Sequence, residues 1–269
     1  MSEVSNQYEL DHVIAKGDRK VILTGNGSFV IRGEASPQIS VWGASHPTVE
    51  TIELASPTFV VGGPQSLNLI AKDNSEPRVE VWKNASVVVN AWDSAVPTVA
   101  AWEGAEPWVE AWEQSAPAVF AFDARPIVVS RHTSLPVIEA WGKSAPQIMA
   151  WSAAHLTCRD ESEGKLVAWA GAPTVFAWDA STPTVIARAT SRPTVEARSG
   201  SRPLIEAWQT AIVTLHAGDL AIVSALTQGT SELRVEATGS SQTNVRTTGP
   251  DPITKIRSAD AKVTVETLE

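Results

Sequence analysis

Four glutamates, Glu50, Glu80, Glu110 and Glu139, recur at intervals of thirty, thirty and twenty-nine residues. If the fold stacks them, their carboxylates repel one another and some hold a proton above the ordinary carboxylate range. Such a column suits two chemistries: oxygen ligation of a cation, or the paired carboxylates of a glycoside hydrolase. The plainer alternative is a solvated strand face, with Arg78 and Lys83 placed to pair with the acids. A second constellation, HLTCRDESEG at 155–164, gathers His155, Cys158, Asp160 and Glu161. It admits a Cys/His nucleophile, but Cys158 falls in an inward valine slot of the pattern described below and reads as a buried structural thiol. The five histidines show no metal-ligand spacing, and there is no G-x-S-x-G, P-loop or H-E-x-x-H. We expect no enzyme, no cofactor and no metal.

The third set is aromatic. Trp92, Phe122, Trp151, Trp178 and Trp208, with Phe120, Met149 and Phe176 among them, read as one long apolar face. Aromatics and methionine favour protein interfaces, so this face suits a second copy or another protein. A sugar platform needs polar groups beside the rings, and few stand here. The remaining reading is that the rings shield the backbone by stacking on one another.

These residues are positioned by a ten-residue repeat. Counting from Trp102, the same slot holds Trp82, Trp92, Trp112 and Phe122, and after a one-residue deletion Arg131, Trp141 and Trp151. The frame is disturbed between Trp151 and Trp169 and resumes at Trp178, Arg188, Arg198 and Trp208. An aliphatic residue or Phe stands three before the slot (Val79, Val89, Val99, Val109), usually Ala one before it, and Pro five before it (Pro77, Pro97, Pro107). Alternation puts Val and Ala on one face and the slot residue on the other. Val, Ile and Trp favour strands, and Pro belongs at a strand entrance or corner. A proline every ten residues would break any helix. The pattern predicts an all-β parallel solenoid, one strand and one corner per repeat.

Two such sides would make a flat coil of twenty residues, and three a triangular coil of about thirty. On the premise that stacked residues resemble each other, the glutamate spacing favours a three-sided, right-handed β-helix with about ten residues per side. Residues 1–18, with Tyr8, Leu10 and Val13, read as an N-terminal cap. Residues 19–269 then form a single solenoid domain: Trp- and Pro-rich coils over 29–217 and plainer, Thr-rich coils over 218–269.

A net charge of −9 argues against nucleic acid and anionic membranes as partners. The single cysteine excludes an intrachain disulfide. No apolar run approaches a membrane span, and the first twenty residues carry no secretion signal, so cytoplasmic synthesis is expected. The unit V-x-A-W-[DEG]-[SG]-[AS], as in VNAWDSAVPTV at 89–99, resembles short-repeat solenoid proteins of bacteria and their phages, which carry runs such as V-x-A-Y-D-S-A-T. The resemblance covers residues 29–217 and implies a solenoid, with no site residues. The expected function is a structural or binding β-solenoid that self-associates or docks a protein through its aromatic face, in a phage particle or on a bacterial surface. The rival is a carbohydrate-binding or carbohydrate-active β-helix.

Overall fold

A computed structural model describes residues 2–42, 45–248 and 253–268. Residues 1, 43–44, 249–252 and 269 of the expected cap and solenoid lie outside the described residues. The chain divides into two compact units, residues 1–137 and 138–269. Each is built from two parallel sheets of stacked coils, and among the described residues the first adds one short helix.

In the first unit one sheet runs, in spatial order, β1 (Ser2–Val4), β2 (Lys20–Leu23), β4 (Gln38–Val41), β6 (Thr58–Gly62), β8 (Arg78–Trp82), β10 (Thr98–Trp102) and β12 (Ala118–Phe122). The other runs β3 (Ser28–Ile31), β5 (Thr48–Thr51), β7 (Ser66–Ala71), β9 (Ser86–Ala91), β11 (Trp108–Ala111) and β13 (Ile127–Ser130). Helix α1 (Gln7–Ala15) lies between β1 and β2 in the chain.

The second unit repeats the plan. One sheet holds β14 (Val137–Trp141), β16 (His155–Cys158), β18 (Thr174–Ala177), β20 (Thr194–Ala197), β22 (Ile212–Ala217), β24 (Glu232–Thr238) and β26 (Ile253–Ala259). The other holds β15 (Gln147–Ala150), β17 (Lys165–Ala168), β19 (Thr184–Ala187), β21 (Leu204–Ala207), β23 (Ile222–Gln228), β25 (Gln242–Thr248) and β27 (Lys262–Leu268).

The register fixes the coil. Thr98 of β10 lies opposite Arg78 on one side and Ala118 on the other, twenty residues away each time. A coil therefore takes twenty residues and two strands. This corrects the expected thirty-residue, three-sided coil, and the flat alternative is the one found. The expected strand-and-corner unit and the parallel solenoid are present.

From β2 to β25 each strand buries alternate residues. Val79, Val99 and Val119 stack inward at 0% exposure, as do Val81, Ala101 and Ala121. The corner follows from one backbone feature. The residue after the slot takes a left-handed φ, as at Asp73 (58°), Asp93 (55°), Glu103 (52°) and Asp123 (52°). That conformation costs most residues about 1–2 kcal/mol and is eased for Asp, Asn and Gly. The turn closes when the N–H three residues after the slot donates to the slot carbonyl, as Ala95 does to Trp92 at 3.0 Å and Ala105 to Trp102 at 3.1 Å. Proline stands just before the strand and enters the ladder through its carbonyl: Thr98 N–H donates to Pro77 O and Ala118 N–H to Pro97 O, both at 2.9 Å. Ala189 holds the left-handed position with φ 51° and no side-chain group to ease it. Ala189→Gly is therefore expected to stabilise the second unit by about 1 kcal/mol, seen as a higher urea midpoint.

Candidate functional sites on the sheet faces and edges

The proposed acidic column does not form. In the first unit Glu50 and Glu110 lie on β5 and β11 of one sheet, and Glu80 lies on β8 of the other; in the second unit Glu139 lies on β14. In a twenty-residue coil, positions thirty apart fall on opposite sheets. Across the ladder Glu50 faces Val30 and Ile70, Glu80 faces Val60 and Ala100, and Glu110 faces Asn90 and Val129. The chain keeps these carboxylates apart rather than stacking them.

Each acid has its own local use. Glu110 sits on the outer face of β11 between two indoles: Trp108 Nε1 donates to one oxygen at 3.0 Å and Trp112 Nε1 to the other at 3.3 Å. Trp208 Nε1 donates to Glu206 in the same i+2 arrangement at 3.3 Å. Glu50 pairs with Lys72 Nζ at 2.7 Å, and this hydrogen bond and charge raise the lysine pKa above its ordinary value. Glu80 stands 4.0 Å from Arg78 Nε, a weak exposed pair.

A different acidic series was missed in the sequence. Glu53, Asp73, Asp93 and Glu113 follow the slot residue at twenty-residue steps and share one edge of the first unit. Each of the first three reaches back one layer to a left-handed backbone amide. Glu53 accepts from Gly33 N–H at 2.8 Å, Asp73 from Glu53 N–H at 2.9 Å, and Asp93 from Asp73 N–H at 3.2 Å. The readable signal was an acid directly after the slot. Its role is to satisfy the corner amides. Among the described residues no group of three His, Cys, Asp or Glu side chains converges as a metal set.

The aromatic face is also redistributed. In the first unit Phe120 and Phe122 lie on β12, whereas Trp92 follows β9 of the other sheet. In the second, Phe176 lies on β18 and Trp178 follows it, while Met149 lies on β15 and Trp151 and Trp208 follow β15 and β21. The single face becomes separate ladders along the coil edges. Trp82 stacks on Trp102 at 5.3 Å, and Trp102 on Phe122 at 4.0 Å, with planes within 11°. On the opposite edge Trp92 stacks on Trp112 at 4.9 Å, and the Arg131 guanidinium lies 4.8 Å from the Trp112 ring centre. In the second unit Trp151 stacks on Trp169 at 4.5 Å, and Arg198 lies 5.5 Å from the Trp178 ring.

Trp102 has a ring on both faces. Each stack is worth about 0.5–1.5 kcal/mol beyond the area it buries. Trp102→Ala is therefore expected to cost about 2–3 kcal/mol, against less than about 0.5 kcal/mol for substitution of Trp42, a residue 64% exposed, by Ala. Paired urea titrations read the difference.

The segment that looked disturbed keeps the stack in a shortened coil: Gln147 pairs with Lys165 eighteen residues on, and His155 with Thr174 nineteen on. Leu156 of β16 pairs with Val175 and takes the inward valine slot; Cys158 pairs with Ala177 and takes the alanine slot. The expected valine-slot position of Cys158 is thus corrected by one inward step, and the thiol is buried. Gly164 compensates for its extra bulk. It stands where other repeats have Pro, and a Cβ there would lie 2.7 Å from Cys158 Sγ and 3.1 Å from Leu156 Cδ2. Gly164→Ala is expected to cost about 1–3 kcal/mol by overpacking. Cys158→Ala should recover most of that loss in a double-mutant cycle.

Burial pushes the Cys158 thiol up to about 11. As this folded value lies above that of a free thiol, its contribution to stability is full below about pH 9. It is lost as pH rises towards 11. At pH 8 iodoacetamide should label Cys158 only after unfolding, a readout for mass spectrometry. His155, the proposed partner, is exposed at the start of β16. Alternation along the strand turns it to the opposite face from Cys158.

Among the described residues no helix is long and apolar enough to cross a membrane. Compared with known protein families, curated proteins and solved structures, the chain matches none of them.

Proposed function

We propose that this chain is a non-catalytic binding scaffold that meets another protein surface, a second copy first among them, through the outer face around β9, β11 and β13. The observation that carries this reading is the run of half-buried apolar side chains in consecutive layers there. Val88, Trp108 and Ile127 face one another across the ladder, beside the stacked Trp92 and Trp112. Among the described residues no helix covers them. A flat apolar patch with aromatic anchors and a polar rim is the usual make-up of a docking surface. A phage particle or a bacterial surface is the setting the repeat type suggests.

Light scattering from about 1 µM to 1 mM tests it. Association that rises with concentration and is weakened at least tenfold by Trp108→Asp supports the reading. A strict monomer over that range sinks the second copy and leaves only a different protein as occupant.

The carbohydrate reading has weaker support. Sugars stack on open ring faces, and the ladder rings give their faces to each other. A glycan array that shows binding lost in Trp151→Ala would reverse the preference.

A further inference from the structure

One edge of the first unit carries the ladder Trp82, Trp102, Phe122, with ring centres 4.0–5.3 Å apart. Two layers before Trp82 the same edge carries Trp42. Its strand pairs Val41 with Val61, which sets Trp42 opposite Gly62, and Gly62 in turn lies opposite Trp82. The rung between the two indoles is a glycine.

The backbone does not require it. Gly62 closes strand β6 without a positive φ. A Cβ added there would meet only Trp82 Cβ, at 3.6 Å, an ordinary contact. Its neighbour Gly63 is different: it holds the left-handed corner at φ 70°, and a Cβ there would lie 3.2 Å from Gln65 Oε1. The corner therefore explains one glycine of the pair and leaves the other. A glycine in a strand without a local reason often marks the close approach of a ligand.

We propose that the Gly62 rung is a binding slot for one planar aromatic ring, sandwiched between Trp42 and Trp82. Two layers of strand spacing separate these rungs by about 9.6 Å. A ring midway stands about 4.8 Å from each, within the 4.0–5.3 Å range at which this ladder stacks its own rings. The high exposure of Trp42, 64%, fits a rung with no ring beneath it. The flanking outward residue on β6 is Val60, which gives the slot an apolar wall. Gly218 supplies an internal contrast. It too leaves a rung empty, but between Arg198 and Thr238, so it offers no aromatic sandwich.

Ligand-observed NMR with indole tests the slot, with methyl glucoside and arginine amide as non-aromatic probes. Saturable indole binding on the order of 1 mM or tighter is expected. It should weaken at least tenfold in Trp42→Ala. It should vanish in Gly62→Trp, which fills the rung and should raise the urea midpoint. Tyr8→Ala removes an aromatic that is 80% exposed elsewhere and should change nothing. Competition by a short tryptophan-containing peptide would place the ring on a polypeptide; its failure to compete would place it on a free small molecule. No saturable binding, binding retained in a folded Gly62→Trp, or a preference for methyl glucoside or arginine amide overturns the proposal.

Discussion

Val99→Asp is expected to unfold the coils around β10 at neutral pH. Val99 is wholly buried and touches the inward valines of the layers on both sides, Val79 and Val119. A carboxylate at that site has no partner to ionise against. The burden is the lost apolar burial plus the desolvation of an unpaired polar or charged group, more than about 4 kcal/mol together. The pH dependence has a definite sign. Burial raises the folded pKa of the introduced acid, so it folds best when protonated. The deficit relative to wild type is smallest below about pH 4, the unfolded value for Asp. It grows as pH rises, until the folded pKa is passed. Because each coil contacts only its neighbours, the loss should be local. Hydrogen exchange should show protection lost over 79–119 and kept around β3 and β5. Val99→Thr, which matches the shape and adds one hydroxyl, should cost far less. Uniform exchange equal to wild type in Val99→Asp would contradict the packing described.

The ten-residue unit was legible because its determinants are local. Inward valine and alanine alternate along most strands, and proline marks many of the entrances. The number of units per coil is a long-range property, and it was inferred from resemblance between layers. That premise holds for rings, which gain by stacking: Trp82, Trp102 and Phe122 do repeat at twenty. It fails for the glutamates of the strand faces, where Glu80 lies between Val60 and Ala100. Acids do repeat at twenty on the corner, where Asp73 and Asp93 each accept from the amide one layer before. Reading the thirty-residue recurrence of the face glutamates as stacking gave the wrong coil. The segment at 155–164 looked irregular because Leu156, Cys158 and Gly164 replace Val, Ala and Pro together. Their volumes compensate, and the strand pairing continues. The stacking edges and the empty Gly62 rung became visible only once the twenty-residue register was known. The N-terminal residues were readable only in part. Leu10 and Val13 are buried as their apolar character suggests, while Tyr8 points to solvent.

A chain lacking residues 2–18 is expected to assemble open-endedly through strand edges. β1 pairs along β2, from Ser2↔Val21 to Val4↔Leu23. Helix α1 lies against β3, and the Gln7 amide acts there as a one-residue strand. Its Oε1 accepts from Val30 N–H at 2.6 Å, and its Nε2 donates to Val30 O at 3.0 Å. The helix is held by its own start. The Asn6 side chain accepts from Glu9 N–H at 3.0 Å, and Glu9 accepts from Ser5 N–H at 2.7 Å. The Ser5 N–H and hydroxyl, both donating to the carboxylate, keep the Glu9 pKa below the ordinary value. The support they give is present above the unfolded pKa and lost as pH falls through the folded one. Removing this cover bares the edges of β2 and β3 together with Val21, Leu23, Phe29 and Ile31, all now buried. Open parallel edges with an apolar interior behind them are templates for pairing. Sedimentation velocity should show an open-ended series of large assemblies for the truncated chain and no such series for the intact one. Gln7→Ala isolates the edge bonds from the apolar cover. It leaves Leu10 and Val13 in place and orphans Val30 N–H and C=O, at a cost of about 1–3 kcal/mol. Gln7→Glu keeps the acceptor and loses the donor, so it should fall between wild type and Gln7→Ala at pH 7. A truncated chain that forms no larger species than the intact one and keeps its melting temperature would show that the β2 and β3 edges need no cover, and the role assigned to Gln7 would fall with it.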